Sequence, residues 1–387
     1  MSFVRNVINQ IKWKLEVLAL MPFRLFPVNN NKVFVCNSYG AGYGDNGKYI
    51  CQELLKANSN IDIVWAVSDM DFFMPKGIRK VKYKTMAYYY EMATSKIWLD
   101  NCRKYHYIRK RKGQFYIQTW HADIGLKKAE GDALQSLEDK YIRDAMNDSK
   151  MIDLFVTGND WFETVIRRAY WYDGPILKPG YPRRDIFYKA DIELINRIKG
   201  DLGIKKGVNI FFYAPTFRHG QDINSLKVYN LDWGGVKVAL QERFGGEWQG
   251  MVRLHPNLAA YYEDLGIPKD IINVNRYPDM QELLLVADVC ISDYSSGIFD
   301  FGLTEKVGFL YAEDVENYKK DRGLLFDFDE LPFSLSQNNS ELIENILKFD
   351  MSAYKERIDA FYNKRLHFYD DGFASRKVVE IICKKCR

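Results

Sequence analysis

Long hydrophobic runs are missing from this chain. Charged residues interrupt every apolar stretch before the ~18 residues that a spanning helix needs, and no small-residue cleavage site follows the first 28 residues. Neither a transmembrane span nor a signal peptide is therefore expected. A paired cysteine framework is also missing. Cys36, Cys51, Cys102, Cys290, Cys383 and Cys386 are scattered, several of them inside apolar patterns, which fits a reducing cytosol. The close pair Cys383 and Cys386 has no second pair of ligands, so a solvated helix end is preferred to a structural zinc site. Excess charge of one sign is small: a net +4 over 387 residues gives no reason to expect nucleic acid as a partner. No repeat of solenoid period and no low-complexity segment is visible. No carboxylate pair has obvious metal-ligand spacing, so no metal is called for, with room left for Mg²⁺.

What is present is apolar surface. With 47% hydrophobic and 15% aromatic residues the chain can fill two cores, and its length favours two domains. Residues 1–28 place Val4, Val7, Ile8, Ile11, Leu15 and Leu18 at helical spacing among Arg5, Lys12, Lys14 and Arg24. This is an amphipathic basic helix, suited either to a membrane surface or to packing on its own domain. Strand and helix patterns then alternate through residues 29–178, and they restart after the loop Pro-Gly-Tyr-Pro-Arg-Arg-Asp at 179–185. The expected architecture is α/β, two Rossmann-like domains (29–178 and 179–340) with a cleft between them, and C-terminal helices over 341–387 bracing both.

Within the first domain, Gly42, Gly44 and Gly47 match a dinucleotide-binding loop, with Asp69 at the expected distance. Tyr43 and Asn46 put bulky polar groups where a pyrophosphate prefers bare backbone, so a nicotinamide cofactor is the lesser reading, and Asn46 is counted with the substrate-binding candidates. The run 103–112 is the densest basic stretch, either a solvated loop or a surface for anionic lipid headgroups. Residues 115–120 form a strand that ends on His121. A histidine at the carboxyl end of a strand in an open α/β sheet lies where ligands bind, and it is the natural base near neutral pH.

In the second domain three strand exits carry polar groups suited to phosphate. Tyr213 to Arg218 supplies Thr216 and the planar fork of Arg218. The segment Arg-Leu-His-Pro supplies Arg253 and His255, the latter also readable as a core histidine. The apolar strand 286–291 delivers Ser295 and Ser296 to a turn opening a helix at Gly297, an anion site by backbone N–H groups. Asp300, about one turn on, either accepts from ribose hydroxyls or helps the cap.

Taken with Gln118 to His121, Gly180 to Asp185 and Tyr369 to Val378, these segments resemble, in motif order, the CDP-glycerol:poly(glycerophosphate) glycerophosphotransferases, which polymerise or prime teichoic acids and related phosphopolymers. The resemblance runs from about residue 33 to the C-terminus. It implies a GT-B fold with a CDP-alcohol held mainly by the second domain, and a cytoplasmic enzyme peripheral on the inner membrane face, where a lipid-linked or polymeric acceptor sits. A homo-oligomer is compatible with it. It carries over His121 as general base, and His255, Ser295 and Ser296 as pyrophosphate contacts. The expected reaction is that of a CDP-alcohol phosphotransferase: glycerol phosphate or ribitol phosphate passes to an acceptor hydroxyl and CMP is released, without a required cofactor. The competing reading is a GT-B glycosyltransferase using a nucleotide sugar. One departure stands out. Where the family commonly continues the histidine motif with Gly-Thr-Pro-Leu-Lys, this chain has Ala122 and Asp123 and a longer path to Lys127, which is set against the acceptor.

Overall fold

The computed structural model describes residues 11–386 apart from 12, 13, 16, 19, 58, 59, 218–228, 260 and 261. Half of the expected N-terminal helix, and Arg218, lie outside the described residues. Two compact units are present: Met1–Asp123, Ala129–Asp185 and Phe368–Arg387 form the first, and Ile124–Lys128 and Ile186–His367 form the second. The chain crosses between them four times. The C-terminal helices divide, with Asn339–Leu347 and Met351–Ile358 in the second unit and Ala374–Lys385 in the first.

The first unit is a seven-stranded sheet. Its strands are β1 (Asn29–Cys36), β2 (Asp62–Val67), β3 (Ile78–Lys82), β4 (Ser95–Asp100), β5 (Phe115–Gln118), β6 (Leu154–Val156) and β7 (Ile176–Leu177), in the order β3-β2-β1-β4-β5-β6-β7. All neighbours pair in parallel. A parallel sheet is covered on both faces, so its strands must be apolar on both sides. That is why Val33 to Cys36 is buried without alternation. One face packs Ile50 and Leu54 of the helix Asp45–Ala57 against Val378 and Ile382 of the last helix. Cys386 belongs to this core, so the C-terminal cysteine pair is not the solvated helix end expected of it. The opposite face holds an aromatic core that includes Trp98, Tyr116, Phe155 and Phe162.

The second unit is a six-stranded parallel sheet in the order β10-β9-β8-β11-β12-β13. Its strands are β8 (Val208–Ala214), β9 (Glu247–Val252), β10 (Ile272–Asn273), β11 (Val289–Ser292), β12 (Val307–Tyr311) and β13 (Ser334–Ser336). Both strand orders reverse direction once, between β1 and β4 and between β8 and β11. Chains leaving neighbouring strands there diverge, which opens a crevice outside the carboxyl ends where ligands bind.

The basic run departs from expectation. Arg103 is buried and bonded to Glu130, Asp148 and Ser149, while Lys104 is buried against Asp100. His106 pairs with Asp144 at 2.9 Å, and Lys110 pairs with Asp153. These side chains are tied up inside the fold, because polar and charged groups removed from water need partners. Only Arg109 and Lys112 of the run are exposed.

Candidate functional site

In the first unit the reversal point is built from the exits of β1, β4 and β5. His121 follows β5, and its Nδ1 lies 3.0 Å from the carbonyl oxygen of Asn101, just beyond β4. A carbonyl can only accept, so Nδ1 carries the hydrogen and Nε2 is left with a lone pair. Desolvation by the neighbouring protein lowers the imidazole's pKa below 6.5, although the residue as a whole is exposed. The Asn101 carbonyl and Asp45 work against this shift, and Arg183 works with it. The result is a neutral base near pH 7.

The position of His121 is fixed from several sides. Trp120 has φ +53°, a left-handed conformation that costs a non-glycine residue about 1–3 kcal/mol and persists only where surroundings impose it. Those surroundings are visible. Asn46 Nδ2 donates to the Trp120 carbonyl at 3.0 Å, Arg183 Nη1 donates to the His121 carbonyl at 2.6 Å, and the Trp120 ring stacks on the imidazole. Arg183 is also paired with Asp45 at 3.0 Å, and Asp45 accepts from Asn101 at 2.7 Å. Asn46 therefore does not present its amide to a substrate. It is fully buried, and its oxygen accepts from the Arg183 backbone, which makes it a positioning residue for the histidine loop. Gly47 is needed for close packing rather than phosphate approach, since a Cβ there would crowd Trp65 at 2.9 Å.

Beyond the histidine, Asp123 is fully engaged. Arg184 grips both its oxygens, at 3.0 and 2.6 Å, and reaches Asp370 with Nε at 3.0 Å. The side chains of all three are buried. The inserted Asp123 thus anchors the histidine loop just before the chain first leaves this unit.

In the second unit β8 and β11 are tied at their exits. The Thr216 N–H lies 2.9 Å from each oxygen of the buried Asp293, and Ser292 Oγ donates to the Ala214 carbonyl at 2.6 Å. Ser295 and Ser296 follow, both half-buried. Ser295 Oγ accepts from Gly297 N at 3.2 Å, while Ser296 makes no side-chain cap. The helix they open, Gly297–Gly302, has six residues, so the donors there are local N–H groups rather than a long macrodipole. Asp300 turns inward: it is buried, and its Oδ2 accepts from Gln281 at 2.7 Å. At the exit of β9, Arg253 is half-buried, and its Nη1 finds no hydrogen-bond acceptor among the described residues. Burial lowers its pKa, and Asp279 opposes that shift. A buried guanidinium N–H without an acceptor is costly, and an anionic ligand would relieve it. His255 is exposed and its ring stacks on Phe217 at 5.7 Å, so it is not a core histidine.

The sequence profile described as CDP-Glycerol:Poly(glycerophosphate) glycerophosphotransferase matches residues 18–384. The chain belongs to this family. Among curated glycerophosphotransferase relatives, the teichoic acid poly(glycerol phosphate) polymerase of Staphylococcus epidermidis is 29% identical over 91% of this chain, which spans about half of that protein (50%). The teichoic acid glycerol-phosphate transferase of Staphylococcus aureus is 28% identical over 97% of this chain and 99% of its own length. Among solved structures, the wall teichoic acid polymerase TagF superposes with a TM-score of 0.84 at 26% identity, covering 98% of each chain. The fold is thus GT-B-like, as expected of a glycerophosphotransferase.

The candidates divide between the two units. His121 and Asn46 lie in the first, while Thr216, Arg253, His255, Ser295, Ser296 and Asp300 lie in the second. Lys127 joins the second as well. It pairs by an antiparallel bridge with Leu324, and its Nζ sits 5.5 Å from the Tyr318 ring, which stacks on Tyr294 at 3.5 Å. Tyr294 directly precedes the paired serines, so Lys127, which was set against the acceptor, belongs to the same unit as they do. Sequence reasoning missed Asp45, Asn101 and Arg183. The last stands inside the Gly180 to Asp185 motif and could have been taken from it, whereas Asn101 had no local signal.

Proposed function

We propose that this protein transfers a polyol phosphate, glycerol phosphate or ribitol phosphate, from a CDP-alcohol to a hydroxyl of a lipid-linked or polymeric acceptor in teichoic acid or related phosphopolymer synthesis. The single observation that carries the mechanism is the 3.0 Å contact between His121 Nδ1 and the Asn101 carbonyl, which makes Nδ1 the donor and leaves Nε2 as a proton acceptor. In the reaction Nε2 takes the proton of the acceptor hydroxyl. The oxygen attacks the β-phosphorus of the CDP-alcohol, a P–O bond forms to the acceptor, and the bond to the bridging oxygen breaks. CMP departs with that electron pair. Such a transfer depends on positioning and on charge stabilisation more than on covalent catalysis.

Charge on the departing phosphate is met by Arg253, whose Nη1 lacks an acceptor, by His255, and by the hydroxyls of Ser295 and Ser296. Arg218 is assigned the same role from its motif, and Lys127 is assigned to the donor side. No metal is required in this scheme. Turnover in excess EDTA should stay within about twofold of the untreated rate, and a loss restored by Mg²⁺ would overturn that part.

Peripheral attachment to the inner face of the membrane is part of the proposal. Leu15, Leu18 and Leu25 are exposed, Leu25 to 87%, and Arg109 and Lys112 are exposed cations. The same segment also rests on the first unit, through Phe26 against Tyr90 at 5.2 Å and the Arg111 contact to the Phe26 carbonyl. Deleting residues 1–28 should move the protein to the soluble fraction, whereas no shift favours a purely packing role.

The donor is tested by incubating purified protein with CDP-glycerol, CDP-ribitol and UDP-sugars in turn, with an acceptor present. CMP release and a product heavier by one or more polyol phosphates are expected. UDP release alone would replace this reading with that of a glycosyltransferase.

A further inference from the structure

At the carboxyl edge of the first sheet, beside His121, stands a group of side chains that the chemistry above does not use. Tyr39 follows β1, Lys84 follows β3 and Tyr105 follows β4, so three strand exits converge where open α/β sheets bind ligands. The rings of Tyr39 and Tyr105 lie 6.0 Å apart at 36°, and Tyr105 stacks on Tyr107 at 5.6 Å and 6°. Lys84 Nζ sits 4.3 Å from the Tyr105 ring centre and donates to its hydroxyl at 3.1 Å. Tyr39 is 40% exposed, Lys84 is exposed, and Tyr105 and Tyr107 are half-exposed. Among the described residues Lys84 has no carboxylate partner, unlike the buried cations of the nearby basic run.

The backbone adds a second observation. Ser38, Tyr39 and Lys84 have φ of 42°, 58° and 59°, left-handed values that bulky residues rarely adopt. The Ser38 N–H donates to Asn101 Oδ1 at 2.8 Å, and the carbonyl of the same Asn101 fixes the His121 tautomer. One residue therefore registers both the tyrosine group and the base.

We infer that Tyr39, Lys84 and Tyr105 form an acceptor subsite for an anionic polyol-phosphate segment, holding units next to the hydroxyl that reacts. Tyrosine faces suit the C–H skeleton of a polyol, while an ammonium without a carboxylate partner among the described residues suits phosphodiester oxygens. The repeating ligand offers both chemistries in each unit. This inference rests on the polyol-phosphate reading, and two separate measurements distinguish its failure from the failure of that reading.

The first measurement is binding of a glycerol phosphate oligomer of about six units, without donor, by titration calorimetry. Wild type should bind in a salt-sensitive manner. Lys84→Ala, which removes the charge-assisted contact, and the double variant Tyr39→Ala/Tyr105→Ala, which removes the ring faces, should each weaken binding about tenfold. Lys84→Arg and Tyr105→Phe should keep most of it. The second measurement is turnover with CDP-glycerol, where the variants should raise the KM for the acceptor and not that for the donor. Equal oligomer affinity in wild type and in variants with native circular dichroism would overturn the subsite, as would no binding by wild type. Binding that depends on these residues in a protein that releases no CMP from any CDP-alcohol leaves the subsite standing and removes the transfer reading.

Discussion

Replacing Arg184 by leucine removes the only cation from a buried cluster with two carboxylates. In the native fold the guanidinium bonds Asp123 twice, at 3.0 and 2.6 Å, and Asp370 through Nε at 3.0 Å, and it is fully buried. The second oxygen of Asp370 lies 2.9 Å from Nη2, a charge contact without hydrogen-bond geometry. Desolvation already pushes the Asp370 carboxyl up to about 7 against the pull of Arg184. Without the arginine, two carboxylates face each other away from water. Breaking a buried pair in this way costs about 3–5 kcal/mol, and in a unit of roughly 200 residues each kcal/mol lowers Tm by about 2–4 °C. A fall of about 6–20 °C is expected by scanning calorimetry near neutral pH. The sign of its pH dependence follows from linkage. A carboxyl with a raised folded-state pKa contributes stability below its unfolded value of 3.8, and loses it as pH rises through the folded value. In the variant that value rises further, so the deficit against wild type should be larger at about pH 8 than at about pH 5. A Tm within about 2 °C of wild type, or a deficit that does not change across that range, would refute the reasoning. Adding Asp123→Asn and Asp370→Asn to the leucine variant should recover part of the loss, because no buried charge then remains in the cluster.

The same cluster makes Gly158→Ala severe, since a Cβ there would overlap Arg184 Nη2 and Asp123 Oδ2; soluble yield and Tm should both fall, and a wild-type Tm would show that the cluster yields. For catalysis, kcat/KM should be flat near neutral pH and fall about tenfold per unit on the acid side with a midpoint below 6.5, because protonated His121 cannot act as base. A midpoint above 6.5 would contradict the desolvated environment. Lys104→Met should cost stability by leaving Asp100 buried and unpaired, with about 3–5 kcal/mol lost in urea titration. Lys112→Ala, at an exposed position, should change stability by less than about 0.5 kcal/mol.

Features fixed by nearby chain were legible from the sequence. Parallel strands buried on both faces leave unbroken apolar runs, so the placing of His121, Ser295 and Ser296 just beyond strand ends could be read directly. Features fixed by distant chain were not. Arg103 looked like surface charge because its partners Glu130 and Asp148 lie 27 and 45 residues away. Asn46 looked available to a ligand, but the group that satisfies its oxygen, the Arg183 N–H, is 137 residues away. Lys127 follows His121 closely in sequence, yet its backbone pairs with Leu324 and carries it into the other unit. Asp300 sits one turn beyond the serines as expected, but helix rotation alone could not say that it would accept from Gln281, 19 residues away. The order of strands in each sheet, and with it the placing of both candidate sites at reversal points, likewise comes only from long-range pairing.

The central claim is that His121 is the base for transfer of a polyol phosphate from a CDP-alcohol. Its most direct test is CMP release by the purified protein with CDP-glycerol or CDP-ribitol and acceptor, wild type against His121→Ala, with product mass measured. Wild type should release CMP and extend the acceptor by polyol phosphate, and the variant should lose about 10²–10⁴-fold in rate while retaining its fold. A variant that keeps its rate within a few-fold of wild type, or a wild-type protein that releases only UDP from UDP-sugars, would contradict the account.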